Sequence, residues 1–247
     1  MSKPRSRASY AEAISLFERA LVLDSNSVEA QSLLAINLVG RMLDFGSSSG
    51  VVVIRRADEL ATRALAASTG NALAHFAKGD VLRAQRRCAE AIPEYEAALA
   101  LNRNAVEALA TIGRCKIYTG SIEEGIAVQQ KAISLSPQNP RTWIWYFRIG
   151  EGHLLQSRID DAILWLEKAR NANPAPGFIR AYLSSAYALN GEAEQAAIEL
   201  AEARSRGGFS QSVAQERAGT RYETRDVRAL ADATFWAGLR KAGMPEE

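Results

Sequence analysis

Small and large apolar residues recur along this chain at steps of three and four, the spacing that puts side chains on one face of an α-helix. Ala91, Tyr95 and Ala98 follow one another this way, as do Ala162, Leu166 and Ala169, and Ala196, Leu200 and Ala203. Short polar runs break the pattern at Asp24-Ser-Asn26, Asn102-Arg-Asn104, Ser136-Pro-Gln-Asn139 and Asn173-Pro-Ala-Pro176, where turn-forming residues interrupt helix. The breaks alternate between two kinds of predicted helix. Second-type helices, which carry the paired small residues, span about 9–23, 56–67, 88–101, 122–135, 159–172 and 193–205. First-type helices precede them at about 28–41, 72–85, 106–119, 143–157 and 178–190. Residues 206–224 read as an irregular link with a turn of helix near 211–217. A last helix over about 225–242 would bury Val227, Leu230, Ala231, Thr234 and Phe235 and stop at Gly243.

The second-type helices repeat. Small residues seven apart occur at Ala13/Ala20, Ala57/Ala64, Ala91/Ala98, Gly125/Ala132, Ala162/Ala169 and Ala196/Ala203, and successive first members lie 44, 34, 34, 37 and 34 residues apart. Seven residues is about two turns, so each pair shares a face. Gly79, Gly113, Gly150 and Ser184 lie twelve residues ahead of four of the pairs, in the middle of the preceding helix, where a small side chain lets two antiparallel helices approach closely. A single helix pair cannot bury its apolar face alone, so neighbouring pairs must stack. This period, with Ala91-Ile-Pro-Glu-Tyr-Glu-Ala-Ala-Leu-Ala-Leu101 and Ala162-Ile-Leu-Trp-Leu-Glu-Lys-Ala169 as its clearest units, resembles the tetratricopeptide repeat. The resemblance implies an all-α fold: a right-handed superhelix in which residues 1–205 form a solenoid, a lone helix at about 9–23 and then five helix pairs. Residues 206–247 supply a linker and a capping helix.

Two places are irregular. The first second-type helix has no first-type partner before it, which leaves Ile14, Phe17 and Leu21 covered on one side. Two explanations stay open: a missing helix upstream in a longer protein, or a second copy completing a dimer. The unit built on Ala57 carries ten extra residues around Asp44–Ile54. They read as an extended helix or a hydrophobic flap, or as a partner-docking element.

Composition adds little chemistry. The 247 residues include 44 alanines, which favour helix, and the formal net charge of +2 gives no reason to expect nucleic acid. Two cysteines cannot make a disulfide framework, which fits a cytoplasmic location. No apolar run reaches the ~20 residues of a membrane helix. His75 and His153 lack partners at metal-ligand spacing, and Cys88 and Cys115 lack a base nearby in sequence. Acidic pairs such as Glu123-Glu124 and Asp160-Asp161 open second-type helices, where they complement the helix dipole. Gly46-Ser-Ser-Ser-Gly50 lacks the Gly-Lys-Ser/Thr that follows in a phosphate loop. No catalytic residue, metal or cofactor is expected.

What remains is a surface. The inner slots of the first-type helices hold Phe76, Asp80, Arg83, Arg114, Tyr118, Phe147, Glu151 and Leu154. Tyr146 and Trp165 point between paired helices and read as core. A groove with such walls suits a peptide or protein partner, with apolar anchors and arginine pairing to a carboxylate. Alternatively, some of these side chains pack against the C-terminal segment.

Several stretches are similar to a narrower group, the tetratricopeptide regions that follow the catalytic domain in alphaproteobacterial class III adenylate/guanylate cyclase-like proteins. They include Ser9–Ala20, His75–Gly79, Ile144–Gly150, His153–Arg158 and the ending Ala237-Gly-Leu-Arg-Lys-Ala-Gly-Met-Pro-Glu246. This resemblance implies a regulatory or scaffolding module, with an upstream cyclase domain as one partner. It carries over no catalytic residue, because the cyclase metal-binding aspartates have no counterpart here.

Overall fold

The computed structural model describes residues 6–46, 49–206 and 209–247. The basic start at 1–5, the serines at 47–48 and the glycines at 207–208 lie outside the described residues. The chain divides into two units, Met1–Cys115 and Lys116–Glu247. Every regular element among the described residues is helical.

The first unit holds α1 (Arg7–Leu23), α2 (Val28–Phe45), α3 (Gly50–Ala67), α4 (Ala72–Ala84), α5 (Cys88–Leu101) and the start of α6 (Val106–Thr119). Helix α2 packs on α3, and α4 on α5, as antiparallel pairs. Side chains start several helices. Ser6 and Ser9 form a reciprocal box at α1, and the Asn71 carboxamide accepts from the Leu73 and Ala74 amides at 2.9 and 3.1 Å, satisfying amides that have no partner within the helix. The core gathers Ile14, Leu34, Leu38, Val39, Leu60 and Val81 around Ala35, Ala57, Ala61 and Ala77. Phe17 and Leu21 are half-buried against it, and Leu16, Val22 and Leu23 are exposed.

The ten extra residues lengthen two helices. Helix α2 runs on to Phe45, and α3 begins at Gly50, six residues before the predicted start at 56. Val51 is 82 % exposed, whereas Val53 packs on the core. Three consecutive valines disfavour helix only mildly, by stiffness at χ1, and packing of one side overrides that preference.

The second unit continues through α7 (Ile122–Leu135), α8 (Thr142–Leu155), α9 (Ile159–Ala172), α10 (Gly177–Asn190) and α11 (Ala193–Ser205). Then follow α12 (Val213–Gly219), α13 (Arg225–Ala231), a π-helical turn (Asp232–Trp236) and α14 (Ala237–Lys241). Helices α7, α9 and α11 start without a side-chain cap but carry Glu or Asp in the first turn, where negative charge offsets the helix dipole. Gly191 stops α10 in the left-handed region at φ 87°, a conformation glycine adopts without strain.

The small-residue lattice is a contact lattice. A Cβ on Gly79 would lie 2.7 Å from Tyr95 Cε1, and one on Gly150 would lie 2.7 Å from Leu166 Cγ. At the last such crossing the Ser184 hydroxyl donates to the Ala196 carbonyl at 2.7 Å. The paired alanines of α3, α5, α9 and α11 are fully buried, whereas Ala13 and Ala20 of α1 are half-buried.

Two aromatic assignments change. Trp145 is the buried tryptophan of α8, while Tyr146 and Trp165 pair at 5.8 Å in a half-buried position with the Lys168 ammonium over the indole. In the last helical stretch, Leu230 is exposed although its period placed it inward. Beyond it, the π turn adds a residue to one turn, which brings Phe235 and Trp236 inward together. The Thr234 hydroxyl, at 2.7 Å, caps the Leu230 carbonyl.

Candidate functional site

The eight sequence-predicted groove residues divide between the two units. Phe76, Asp80 and Arg83 stand on α4 and Arg114 on α6 within the first unit. Tyr118, Phe147, Glu151 and Leu154 belong to the second.

In the first unit, Asp80 Oδ1 accepts from Arg83 Nη2 and from the Tyr95 hydroxyl, both at 2.8 Å, and Arg83 Nε donates to that hydroxyl at 3.2 Å. Phe76 meets the edge of the Tyr95 ring at 5.5 Å. Burial opposes the charge on Arg83, but the Asp80 carboxylate and the Tyr95 hydroxyl outweigh it and raise the guanidinium's pKa. Burial, followed by the negative charge of Asp80, raises the Tyr95 hydroxyl well above its usual range. The result is a guanidinium held in one orientation beside an aromatic ring. Phe76, Arg83 and Arg114 are half-buried.

In the second unit the predicted wall is covered. Phe147 is 2 % exposed, Glu151 1 %, Leu154 0 % and Tyr118 5 %, so none of them stands on an open wall. Residues from the C-terminal segment lie on this inner face. The Tyr222 hydroxyl donates to Glu151 Oε1 at 3.1 Å, and the Tyr182 hydroxyl donates to the same oxygen at 3.2 Å. Arg148 Nη1 donates to Glu151 Oε2 at 2.6 Å and to the Tyr118 hydroxyl at 2.7 Å. The Phe235 ring stacks on Tyr182 at 3.8 Å, and the Ser185 hydroxyl donates to the Phe235 carbonyl at 2.8 Å. The Glu223 amide donates to the Tyr118 carbonyl at 3.1 Å.

This network explains why a carboxylate is tolerated inside the fold. Glu151 accepts from a guanidinium and two phenols, which replace the water it has lost. Burial opposes the charge on Arg148, and Glu151 restores it, so the net direction is upward. Burial, followed by the Glu151 charge, raises the hydroxyls of Tyr182 and Tyr222 well above their usual range, so both remain donors.

Sequence reasoning missed Arg148, Tyr182 and Tyr222. The first two were within reach, because they share one slot of the 34-residue period. Tyr222 lies in the irregular link, which has no period to place it. The histidines are accounted for in the packing. His75 Nδ1 lies 2.7 Å from Glu94 and Nε2 2.9 Å from the Thr69 carbonyl oxygen, and His153 is buried at the end of α8. Among the described residues, no group of three or more His, Cys, Asp or Glu side chains stands ready to hold a metal ion. None of the described helices is long and apolar enough to cross a membrane.

Comparison with known proteins places this arrangement. The tetratricopeptide repeat pattern matches residues 54–106 and 76–140. The chain is similar to the solved structure of PilW, a widely conserved type IV pilus biogenesis factor, at TM-score 0.62 and 18 % identity over 90 % of this chain and 91 % of that one. Similarity to Pseudomonas aeruginosa pilF is of the same order, TM-score 0.62 and 17 % identity over 87 % and 88 %. YrrB, a tetratricopeptide protein with an unusual peptide-binding site, matches at TM-score 0.52 and 18 % identity over 78 % and 93 %. At these identities the likeness is one of fold. The search of curated proteins gave no match. Residues 54–140 thus carry the tetratricopeptide repeat pattern, and the chain shares the helical-repeat fold of these structures.

Proposed function

We propose that the chain is a protein-interaction module that receives a peptide or protein partner on the inner slots of the first unit. The observation that supports this most directly is the Asp80–Arg83–Tyr95 cluster beside Phe76. Its guanidinium is already oriented, so pairing it with a partner carboxylate sacrifices little side-chain freedom. Phe76 gives an apolar anchor next to that charge, and Arg114 adds a second cation on the same series of slots. The peptide-binding site for which YrrB is known and the pilus-biogenesis role of PilW belong to those proteins. Both are consistent with this fold serving recognition. Neither Cys88 nor Cys115 is in a disulfide, which supports work in a reducing compartment such as the cytoplasm.

A photo-crosslinking amino acid at Phe76 tests this reading against the same group at the exposed Glu96 of α5. A partner adduct formed from position 76 and lost with Arg114→Glu supports it. Equal labelling from both positions refutes it.

A second reading makes the chain the regulatory C-terminal region of an adenylate/guanylate cyclase-type signalling protein. The ending 237–246 favours it, because its residues do specific work. Gly238 sits against Ser185, and the carbonyls of Pro245 and Glu246 accept from the Val213 and Ala214 amides, both at 2.9 Å. A cyclase domain encoded directly upstream, with nucleotide turnover altered by Tyr222→Phe, would favour this second reading. Unaltered turnover would count against it.

A further inference from the structure

The C-terminal segment is built more like a ligand than like one more repeat. It first closes on itself. Arg217 pairs with Asp232 and, at 3.2 Å, with Glu246. Arg240 Nε donates to Glu246 Oε2 at 2.5 Å. The Arg217 guanidinium also covers the Trp236 ring at 5.3 Å. The closed segment then presents one face to the inner side of α8 and α10. Val227, Ala231, Phe235 and Leu239, four residues apart, are buried on that face. The Tyr222 hydroxyl enters ahead of them as the polar anchor. Gly238 marks the crossing with α10, where a Cβ would lie 2.5 Å from the Ser185 carbonyl oxygen.

This seat is imperfect. On the groove, Arg148 Nε is buried with no acceptor, and a buried donor left unmatched destabilises the arrangement. An occupant offering an acceptor to Arg148 Nε would fit better than the segment that is there.

From this we infer that the inner face of the second unit is a groove for an amphipathic helix, and that residues 209–247 occupy it as a built-in competitor. The partner it fits is a helical peptide with apolar anchors at i, i+4, i+8 and i+12, a glycine at i+11 and a tyrosine five residues ahead of the first anchor. This inference rests on the reading of the chain as an interaction module. It adds that recognition by the second unit requires displacement of the C-terminal segment. Because the occupant is tethered, its effective concentration is about millimolar, and a free peptide at micromolar concentration does not displace it.

The test uses the full chain and a fluorescein-labelled synthetic peptide of residues 220–243 as probe, read by fluorescence anisotropy. Gly238→Leu drives a side chain into the Ser185 backbone and unseats the chain's own segment, while the peptide keeps its glycine. The expected result is that the variant binds the peptide at least about tenfold more tightly than wild type, because apparent affinity scales with the open fraction. Adding Ser185→Leu on the groove side should abolish that gain. Tyr222→Phe, which removes one hydroxyl and introduces no clash, should move affinity in the same direction by a smaller factor. It carries the test if Gly238→Leu loses its helical circular dichroism. A folded variant that binds the peptide no better than wild type overturns the inference. So does hydrogen exchange over 225–241 that stays as slow in Gly238→Leu as in wild type. A chain that ignores the peptide but still labels a partner through position 76 loses this groove and keeps the first-unit reading.

Discussion

Gly150→Ala separates the contact lattice from simple helix propensity, because the two predict opposite signs. In the interior of α8, alanine in place of glycine should stabilise by about 1 kcal/mol through propensity alone. At this position, however, the new Cβ would lie 2.7 Å from Leu166 Cγ, 3.0 Å from Leu166 Cδ2 and 3.1 Å from the Leu166 backbone nitrogen. A side-chain tip could swing away, but the backbone of α9 cannot. Overpacking of this kind costs about 1–3 kcal/mol, so the net change is a loss of about 1 kcal/mol. Urea unfolding followed by tryptophan emission is the assay, since Trp143, Trp145, Trp165 and Trp236 all belong to the second unit. With a slope of about 2 kcal/mol per molar, the midpoint should fall by about 0.5 M. Leu166→Ala alone should cost about 2–5 kcal/mol. Combined with Gly150→Ala it should cost less than the sum, since the cavity receives the new methyl. A midpoint that rises in Gly150→Ala, or strict additivity in the pair, would refute the close approach of α8 and α9.

Three other outcomes follow from the buried polar groups. Glu151→Ala strands the Arg148 charge and should cost about 3–5 kcal/mol in the same assay, while the double change Arg148→Met with Glu151→Leu should cost much less; equal losses would argue against the network. Of the seven tyrosines, Tyr95, Tyr182, Tyr187 and Tyr222 have raised hydroxyls, with burial the leading cause in each, and Tyr187 is pushed up to about 12. Their unfolded counterparts ionise near pH 10, so stability should fall as pH rises beyond about 10. In tyrosinate absorbance of the folded chain these four should be withheld beyond pH about 10, and a folded chain that titrates as the unfolded one does would contradict the burial. Burial, and then the charge of Arg158, lowers His153. The unfolded chain therefore takes up that proton first, and stability should drop as pH falls below about 6.5. His153→Gln should flatten the decline in melting temperature between about pH 7 and pH 5.5, and an unchanged decline would assign it to other groups.

The helix register was legible because it is written locally. The helices over 88–101, 106–119, 122–135, 159–172 and 193–205 form where period, turns and small residues agree. Gly79, Gly150 and Ser184 could be placed at crossings because close approach demands a small side chain at a fixed offset. Long-range features were less visible. The start of α3 depends on one side of a valine run finding a core, which no local preference reports. Phe235 and Trp236 turn inward together because a π turn widens the helix there, and a constant period cannot anticipate that. The predicted groove wall was legible as a set of slots, but not as filled or open. What fills it in the second unit arrives through Tyr222, 71 residues from Glu151 along the chain.

The seat of Phe235 on Tyr182 is the contact on which the account of the second unit depends most heavily. Nuclear Overhauser spectroscopy on the full-length chain, with phenylalanine and tyrosine rings selectively labelled, measures it directly. Rings stacked at 3.8 Å should give strong cross-peaks between Phe235 and Tyr182, and Gly238→Leu should erase them. Sharp, solvent-like Phe235 resonances in the unaltered chain, with no cross-peak to Tyr182, would show that the inner face of the second unit stands open.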